Sequence, residues 1–181
     1  RFDHQLKVSG LTTLNTTKPD FSWAGINIDN IKKNYNLDEY IILFPFCSAH
    51  LNIKKWPYYN ELIDLIKNKY KDKYKIIVAP GPSEINDTKD VNAISILDDE
   101  KILDIFQLTS LIKDSSFVVA NDTGPAHMAA HLDVKGLSLF GKHTTAHKVS
   151  IEREKFKAIQ VNDLTKLSAD KVFEKLDKSL R

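Results

Sequence analysis

An α/β fold built on a parallel sheet is what this sequence predicts, and three observations predict it. From about Tyr40 onward, short apolar runs alternate with helical patterns, the order of stacked strand–helix–strand units. The stretch FVVANDTGPAHMAAHL, residues 117–132, passes from four apolar residues through a polar turn directly into an Ala-rich helix. The 181 residues, 42% hydrophobic and 28% charged, suit one globular domain that buries roughly 70% of its extended surface on folding.

Each element follows in order. YIILFPF, residues 40–46, is an apolar run of strand length; after a polar loop a helix opens at Pro57 with Leu62, Ile63 and Ile66 on one face. KIIVAP, residues 75–80, is the next strand and runs into a Pro/Gly turn ending at Glu84. A short strand over residues 93–97 precedes a helix over residues 103–113, whose apolar face uses Phe106, Leu108, Leu111 and Ile112. Residues 117–120 form a buried strand, 121–124 its turn, and Pro125 the first helical residue, where its missing N–H and fixed φ do no harm. GLSLFG (136–141) and AIQV (158–161) are the last strands, and Ser168 caps a closing helix carrying Val172, Phe173, Leu176 and Leu180. Residues 1–37 are rich in Thr, Asn, Lys and Asp without a sustained period. They read as a connector or the remnant of a preceding domain, with residues 38–181 as the folded domain. Because the chain opens on Arg1 in mid-pattern, an N-terminal part is expected to be missing.

Composition excludes several classes. Twenty-six basic against 24 acidic residues, a net charge of +2, provide no general nucleic-acid surface, although mild attraction to anionic lipid or an anionic substrate remains compatible. Cys47 is the single cysteine, so no internal disulfide forms and a reducing compartment is the simpler expectation. No apolar run approaches the ~18 to 20 residues that span a bilayer. His127 and His131, and again His143 and His147, stand four apart. However, Met128 follows the first histidine where a zincin has Glu, and no metal is expected. The dinucleotide fingerprint and the P-loop are both absent, which argues against a nicotinamide enzyme or a P-loop ATPase.

In an open α/β sheet, ligands bind beyond the carboxyl ends of the strands, so the turns after Phe46, Pro80, Asn121 and Phe140 should converge. The first holds Ser48, Lys54 and Lys55 before Trp56; a lysine there would offset the charge of a leaving diphosphate, whereas the bland alternative leaves both lysines solvated and Trp56 packing. The second holds Glu84, able to accept two ribose hydroxyls or merely to favour a helix dipole. The third supplies Asp122, Thr123, Gly124, Pro125 and His127. A helix starting there aims N–H groups and partial positive charge at an anion, and Gly124 lets the backbone approach it. Asp122 would repel a diphosphate and so suits hydroxyls of an attached sugar; otherwise it is a helix cap and His127 a packing residue.

Lys54-Lys55-Trp56-Pro57, Pro80-Gly81-Pro82-Ser83-Glu84, the block from Asn121 to Ala130 and Leu139-Phe140-Gly141, in this order, resemble the C-terminal half of family 9 glycosyltransferases, the group of the lipopolysaccharide heptosyltransferases. The resemblance covers residues 40–141, with D-T-G-P-x-H its most specific part. It departs at Pro45-Phe46-Cys47-Ser48 and at Lys142-His143, positions that bear on donor choice. It implies the Rossmann-like second domain of a GT-B type enzyme, taking an ADP-linked or similar nucleotide-sugar donor as substrate and no other cofactor. Lys54 and Ser48 would hold the diphosphate, Glu84 the ribose, and Asp122 the sugar. Thr123, Gly124, Pro125 and His127 would form the phosphate end of the helix. It further implies inverting, metal-independent transfer to a glycolipid or oligosaccharide acceptor, with Lys54 and Asp122 acting at the reacting end and the general base in the other domain. Such an enzyme works in the cytoplasm at the inner face of the bacterial inner membrane, with possible peripheral contact. A nucleotide-sugar epimerase or hydrolase on the same architecture, and a non-catalytic nucleotide-binding module, are the alternatives.

Overall fold

The computed structural model describes residues 2–14, 20–47 and 49–181. Six strands, β1 Tyr40–Phe44, β2 Lys75–Val78, β3 Ile94–Ser95, β4 Phe117–Asn121, β5 Gly136–Phe140 and β6 Phe156–Gln160, form one sheet in the order β3-β2-β1-β4-β5-β6. All five pairings are parallel, with β1 and β4 in register from Ile41 opposite Phe117 to Phe44 opposite Ala120. From β1 the chain builds outward to β3, then returns to the other side of β1 and builds outward to β6. The strand order reverses between β1 and β4, which opens a crevice above their carboxyl ends.

Both faces of the central strands are covered, which is why they read as unbroken apolar runs. Along β1, Tyr40, Ile42 and Phe44 point into one core and Ile41 and Leu43 into the other. The first core is closed by α4 (Ile105–Lys113) through Leu111 and Ile112 and by α5 (Gly124–His131) through Ala126, Ala129 and Ala130. The second is closed by α3 (Tyr59–Tyr70) through Leu62, Ile63 and Ile66, and by α7 (Ala169–Leu180) through Val172 and Leu176. Fully burying each of these leucine, isoleucine and valine side chains contributes about 1.5–3 kcal/mol.

Several boundaries differ from the sequence expectation for local reasons. The first strand ends at Phe44 rather than Phe46, since Pro45 has no N–H for the ladder. The helix expected from residue 103 begins at Ile105 because Asp104 caps it, accepting from the Phe106 and Gln107 amides while its own amide donates to the Gln107 side-chain oxygen. Phe106, assigned to its buried face, is 42% exposed instead. Residues 1–37, which show no sustained period, contain α1 (Phe2–Val8) and α2 (Asp29–Tyr35). Ile28, Ile31 and Leu37, around α2, are buried in the first core, and the Ser110 hydroxyl bonds both the amide and the carbonyl of Ile26.

Gly136 marks a close approach of neighbouring strands that leaves no room for a Cβ. A Cβ there would lie 2.5 Å from the Phe156 ring and 2.7 Å from the Val118 carbonyl oxygen of the neighbouring strand. Gly136→Ala is expected to destabilise by about 2 kcal/mol, read as a lower urea midpoint with an unchanged slope. An unchanged midpoint would show that β4 and β5 can separate freely.

Candidate functional site

Asp122 lies at the centre of the site because β4 lies between β1 and β5. A residue just past β4 is therefore flanked by the loop after β1 and the loop after β5. Lys54, from the kinked 3-10 segment Ala49–Lys54, places its Nζ 2.8 Å from Asp122 Oδ2 and 3.4 Å from the Asp122 carbonyl oxygen. His143, from the loop after β5, places Nε2 3.1 Å from the same Oδ2. His127, in the first turn of α5, stands with Nε2 3.7 Å from Oδ1. The carboxylate is only 6% exposed. Burial by itself pushes the Asp122 carboxyl up, but the nearby His127 ring, hydrogen bonds from Lys54 and His143 and the Lys54 charge overcome it and hold it well below the usual carboxylate range. Asp122 is thus an ionised group enclosed by the Lys54 ammonium and two histidine rings, not the helix cap of the bland alternative.

A cleft of about 420 Å³ opens beside this cluster, lined by Lys54, Glu84, Asp122, Thr123, Gly124, Pro125 and His127, with Cys47 and Leu51 completing the wall. Seven of the residues selected from the sequence therefore share one cavity. Ser48, the eighth, lies outside the described residues. An apolar slot of about 270 Å³ adjoins it through Glu84, Thr123 and Pro125 and continues between Phe44, Phe46, Pro80, Pro82 and Leu108. The joined space has a polar end and an apolar end, the chemistry of a nucleotide's two ends.

The helix start is a weaker anion site than the sequence suggests. Pro125 contributes no N–H, and the Ala126 and His127 amides already bond the Thr123 carbonyl at 3.1 and 3.4 Å. Thr123 occupies the N-cap position, but its hydroxyl donates to the Asn121 carbonyl at 3.3 Å rather than capping. A helix terminus is worth about 0.3–1 kcal/mol to an exposed anion, against about 1.5–3 kcal/mol for a hydrogen bond to a charged group such as Lys54. Lys54 dominates. Glu84 accepts the Gly81 amide at 2.7 Å within its own turn, which fixes the carboxylate at the junction of cleft and slot.

Three further residues shape the site that sequence reasoning did not place among its binding residues. Asn121, fully buried, donates to the Pro45 carbonyl at 2.8 Å and accepts from the Trp56 amide at 3.2 Å. Its Oδ1 also lies 3.2 Å from the Tyr59 hydroxyl, which shares its proton with the Phe44 carbonyl. It ties the loop after β1 to the end of β4 and so brings Lys54 to Asp122; its place at a strand end beside Asp122 was the available signal. His143 was weighed as a chelating partner of His147 and, with Lys142, as a departure bearing on donor choice; the structure turns it to Asp122 while His147 stays exposed on α6 (Ala146–Val149). Cys47 lines the cleft, where burial pushes its thiol up against the opposing pull of Lys55 and Lys54, so it stands as a thiol.

The other residues weighed resolve differently. Trp56 is buried and donates to the Leu167 carbonyl at 2.8 Å, the packing role of the bland alternative. His131 turns away from His127, 3.3 Å from Arg153 and against the Phe21 ring. Among the described residues no group of three or more His, Cys, Asp or Glu side chains is arranged to hold a metal ion. No helix among them is long and apolar enough to cross a membrane.

Residues 12–176 match the model of glycosyltransferase family 9 (heptosyltransferase). Among solved structures, the chain is similar to Escherichia coli heptosyltransferase WaaC with ADP-2-deoxy-2-fluoro heptose (20% identity, TM-score 0.69, covering 97% of this chain and 53% of that one). It is also similar to the glycosyl transferase family 9 protein of Veillonella parvula (14% identity, TM-score 0.74, 98% and 58%). A more distant fold likeness is to Methanocaldococcus jannaschii UDP-GlcNAc 2-epimerase in complex with UDP-GlcNAc and UDP (16% identity, TM-score 0.58, 91% and 45%). The chain spans about half the length of these structures. No curated protein sequence matches it.

Proposed function

Since this chain belongs to glycosyltransferase family 9, the heptosyltransferase family, we propose that it is the donor-binding half of an inverting, metal-independent glycosyltransferase that uses an ADP-linked, heptose-like sugar. The observation that carries this reading is the meeting of Lys54, Glu84, Asp122 and His127 around one polar cleft that opens into an apolar slot. The adenine ring fits the slot, the ribose hydroxyls meet Glu84 at the junction, and the diphosphate lies in the cleft beside Lys54 and the start of α5. Asp122 and His127 then face the sugar.

In transfer, the bond between the anomeric carbon and the diphosphate oxygen breaks with its electron pair leaving on ADP. The acceptor hydroxyl bonds the opposite face of that carbon and loses its proton to a base. Lys54 supports the charge that grows on the leaving diphosphate, the step at which a positioned cation is most effective. The base and the acceptor site belong, in this reading, to the half of such proteins that this chain does not span. The acceptor is a lipopolysaccharide core or similar glycan. The balanced surface charge gives no reason to assign a nucleic-acid partner. A cytoplasmic location, at the inner face of the bacterial inner membrane with peripheral contact, follows from that acceptor.

Calorimetric titration of the 181-residue chain with ADP, adenosine and UDP tests the reading. ADP is expected to bind at least ~10-fold more tightly than adenosine, the worth of a single charge-assisted contact, and more tightly than UDP. Equal affinities for ADP and adenosine would remove the diphosphate from the cleft. The fold likeness to UDP-GlcNAc 2-epimerases supports a second reading; preference for UDP-GlcNAc, with an epimerised product in the absence of acceptor, would favour it.

A further inference from the structure

The cation best placed to meet a diphosphate is already engaged. Lys54 is held 2.8 Å from the Asp122 carboxylate, and that carboxylate is 6% exposed. Turning Lys54 toward a phosphate removes the nearest positive charge from a buried anion, which is strongly unfavourable unless another donor holds it. His143 contacts the same oxygen, Oδ2, and its side chain is 8% exposed. Its ring stacks on Phe140 at an interplanar angle of 15°, which fixes the direction of Nε2.

We propose that His143 is a positioning residue that retains the Asp122 carboxylate while Lys54 moves to the donor's diphosphate. The inference rests on the donor-binding reading above and goes beyond it by assigning the exchange of partners that makes Lys54 available.

A packing role alone does not account for this histidine. Among the described residues its Nδ1 is buried without a hydrogen-bond partner, a cost that phenylalanine stacked on Phe140 would avoid. The compensating contact is Nε2 to Asp122, so Nε2 carries the proton directed at the carboxylate. His127 is a poorer substitute, since it stands 3.7 Å away on the other oxygen and is 35% exposed at the cleft wall. With Lys54 and His127 both facing the ligand, His143 is the partner of Asp122 that stays behind the cleft.

The test is calorimetric titration of the 181-residue chain with ADP and with adenosine. ADP lacks the transferred sugar, so any role of Asp122 toward that sugar does not enter. His143→Phe, which keeps the stacking, is expected to weaken ADP binding roughly 10-fold while adenosine binding changes less than about twofold. His143→Gln, which restores a donor, should recover most of the loss. Adding Asp122→Asn to His143→Phe should return ADP affinity to that of Asp122→Asn alone, because a neutral side chain no longer retains Lys54. Equal losses for ADP and adenosine, or a loss that Asp122→Asn does not relieve, would make His143 structural and overturn the proposal. In the unaltered chain, ¹⁵N NMR should show the His143 Nε2 resonance shifting on addition of ADP but not of adenosine; no shift would overturn the proposal without recourse to any variant. If ADP binds and Lys54→Ala weakens it while His143→Phe does not, the partner exchange alone fails. If the unaltered chain does not bind ADP, the donor-binding reading fails and this inference with it.

Discussion

Asn121→Ala is expected to lower stability by about 3 kcal/mol and to abolish measurable ADP binding even in the fraction that remains folded. The side chain is fully buried, and its removal strands the Pro45 carbonyl and the Trp56 amide away from water. Each unsatisfied buried group costs about 1–3 kcal/mol, partly relieved if the Tyr59 hydroxyl turns fully to the Phe44 carbonyl at 3.3 Å. The larger functional loss has a geometric cause. Asn121 joins the segment that carries Lys54 to the strand that carries Asp122, so its loss frees the two walls of the cleft from each other. Urea denaturation followed by calorimetry of the folded protein checks both parts. A variant with full stability and unaltered ADP affinity would show that the β1 loop is held by Trp56 packing alone.

Lys54→Ala should weaken ADP binding by roughly 10- to 100-fold, equivalent to about 1.5–3 kcal/mol, while adenosine binding stays within a factor of two. Removing the ammonium group leaves the ionised Asp122 facing the diphosphate with only the two histidines against it. Both effects fall on the phosphates and neither on the base, whose apolar slot Lys54 does not line. Lys54→Arg should fall between, since it keeps the charge but presents a wider, planar group to Asp122. Parallel titrations with ADP and adenosine decide the matter; an equal loss for both ligands would place Lys54 outside the diphosphate contact.

The strands were legible because their surroundings are simple. A strand covered on both faces must be apolar at every position, and 40–44 and 117–120 read that way without knowledge of their neighbours. Helix α2 was not legible, because its part in the core rests on Ile31 and the partly buried Tyr35 within the helix and on Ile28 and Leu37 at its ends, amid polar residues. Phe106 was misplaced for a related reason: periodicity identifies an apolar residue but not whether anything lies opposite it. The Asp104–Gln107 capping box was visible in the sequence and would have set the start of α4 correctly.

The same division runs through the site. Residue types at strand ends, and the glycines and prolines that shape those turns, are local properties, so the sequence by itself determined which loops carry Lys54, Glu84, Asp122 and His127. Which charges neutralise one another is not local. Lys54 and Asp122 are 68 positions apart, and Asp122 and His143 are 21 apart; they meet only because β4 is inserted between β1 and β5. Electrostatic pairing depends on distance in space and on burial, and strand order sets both. Only the tertiary structure could therefore turn Asp122 from a free carboxylate into the shared partner of a lysine and two histidines.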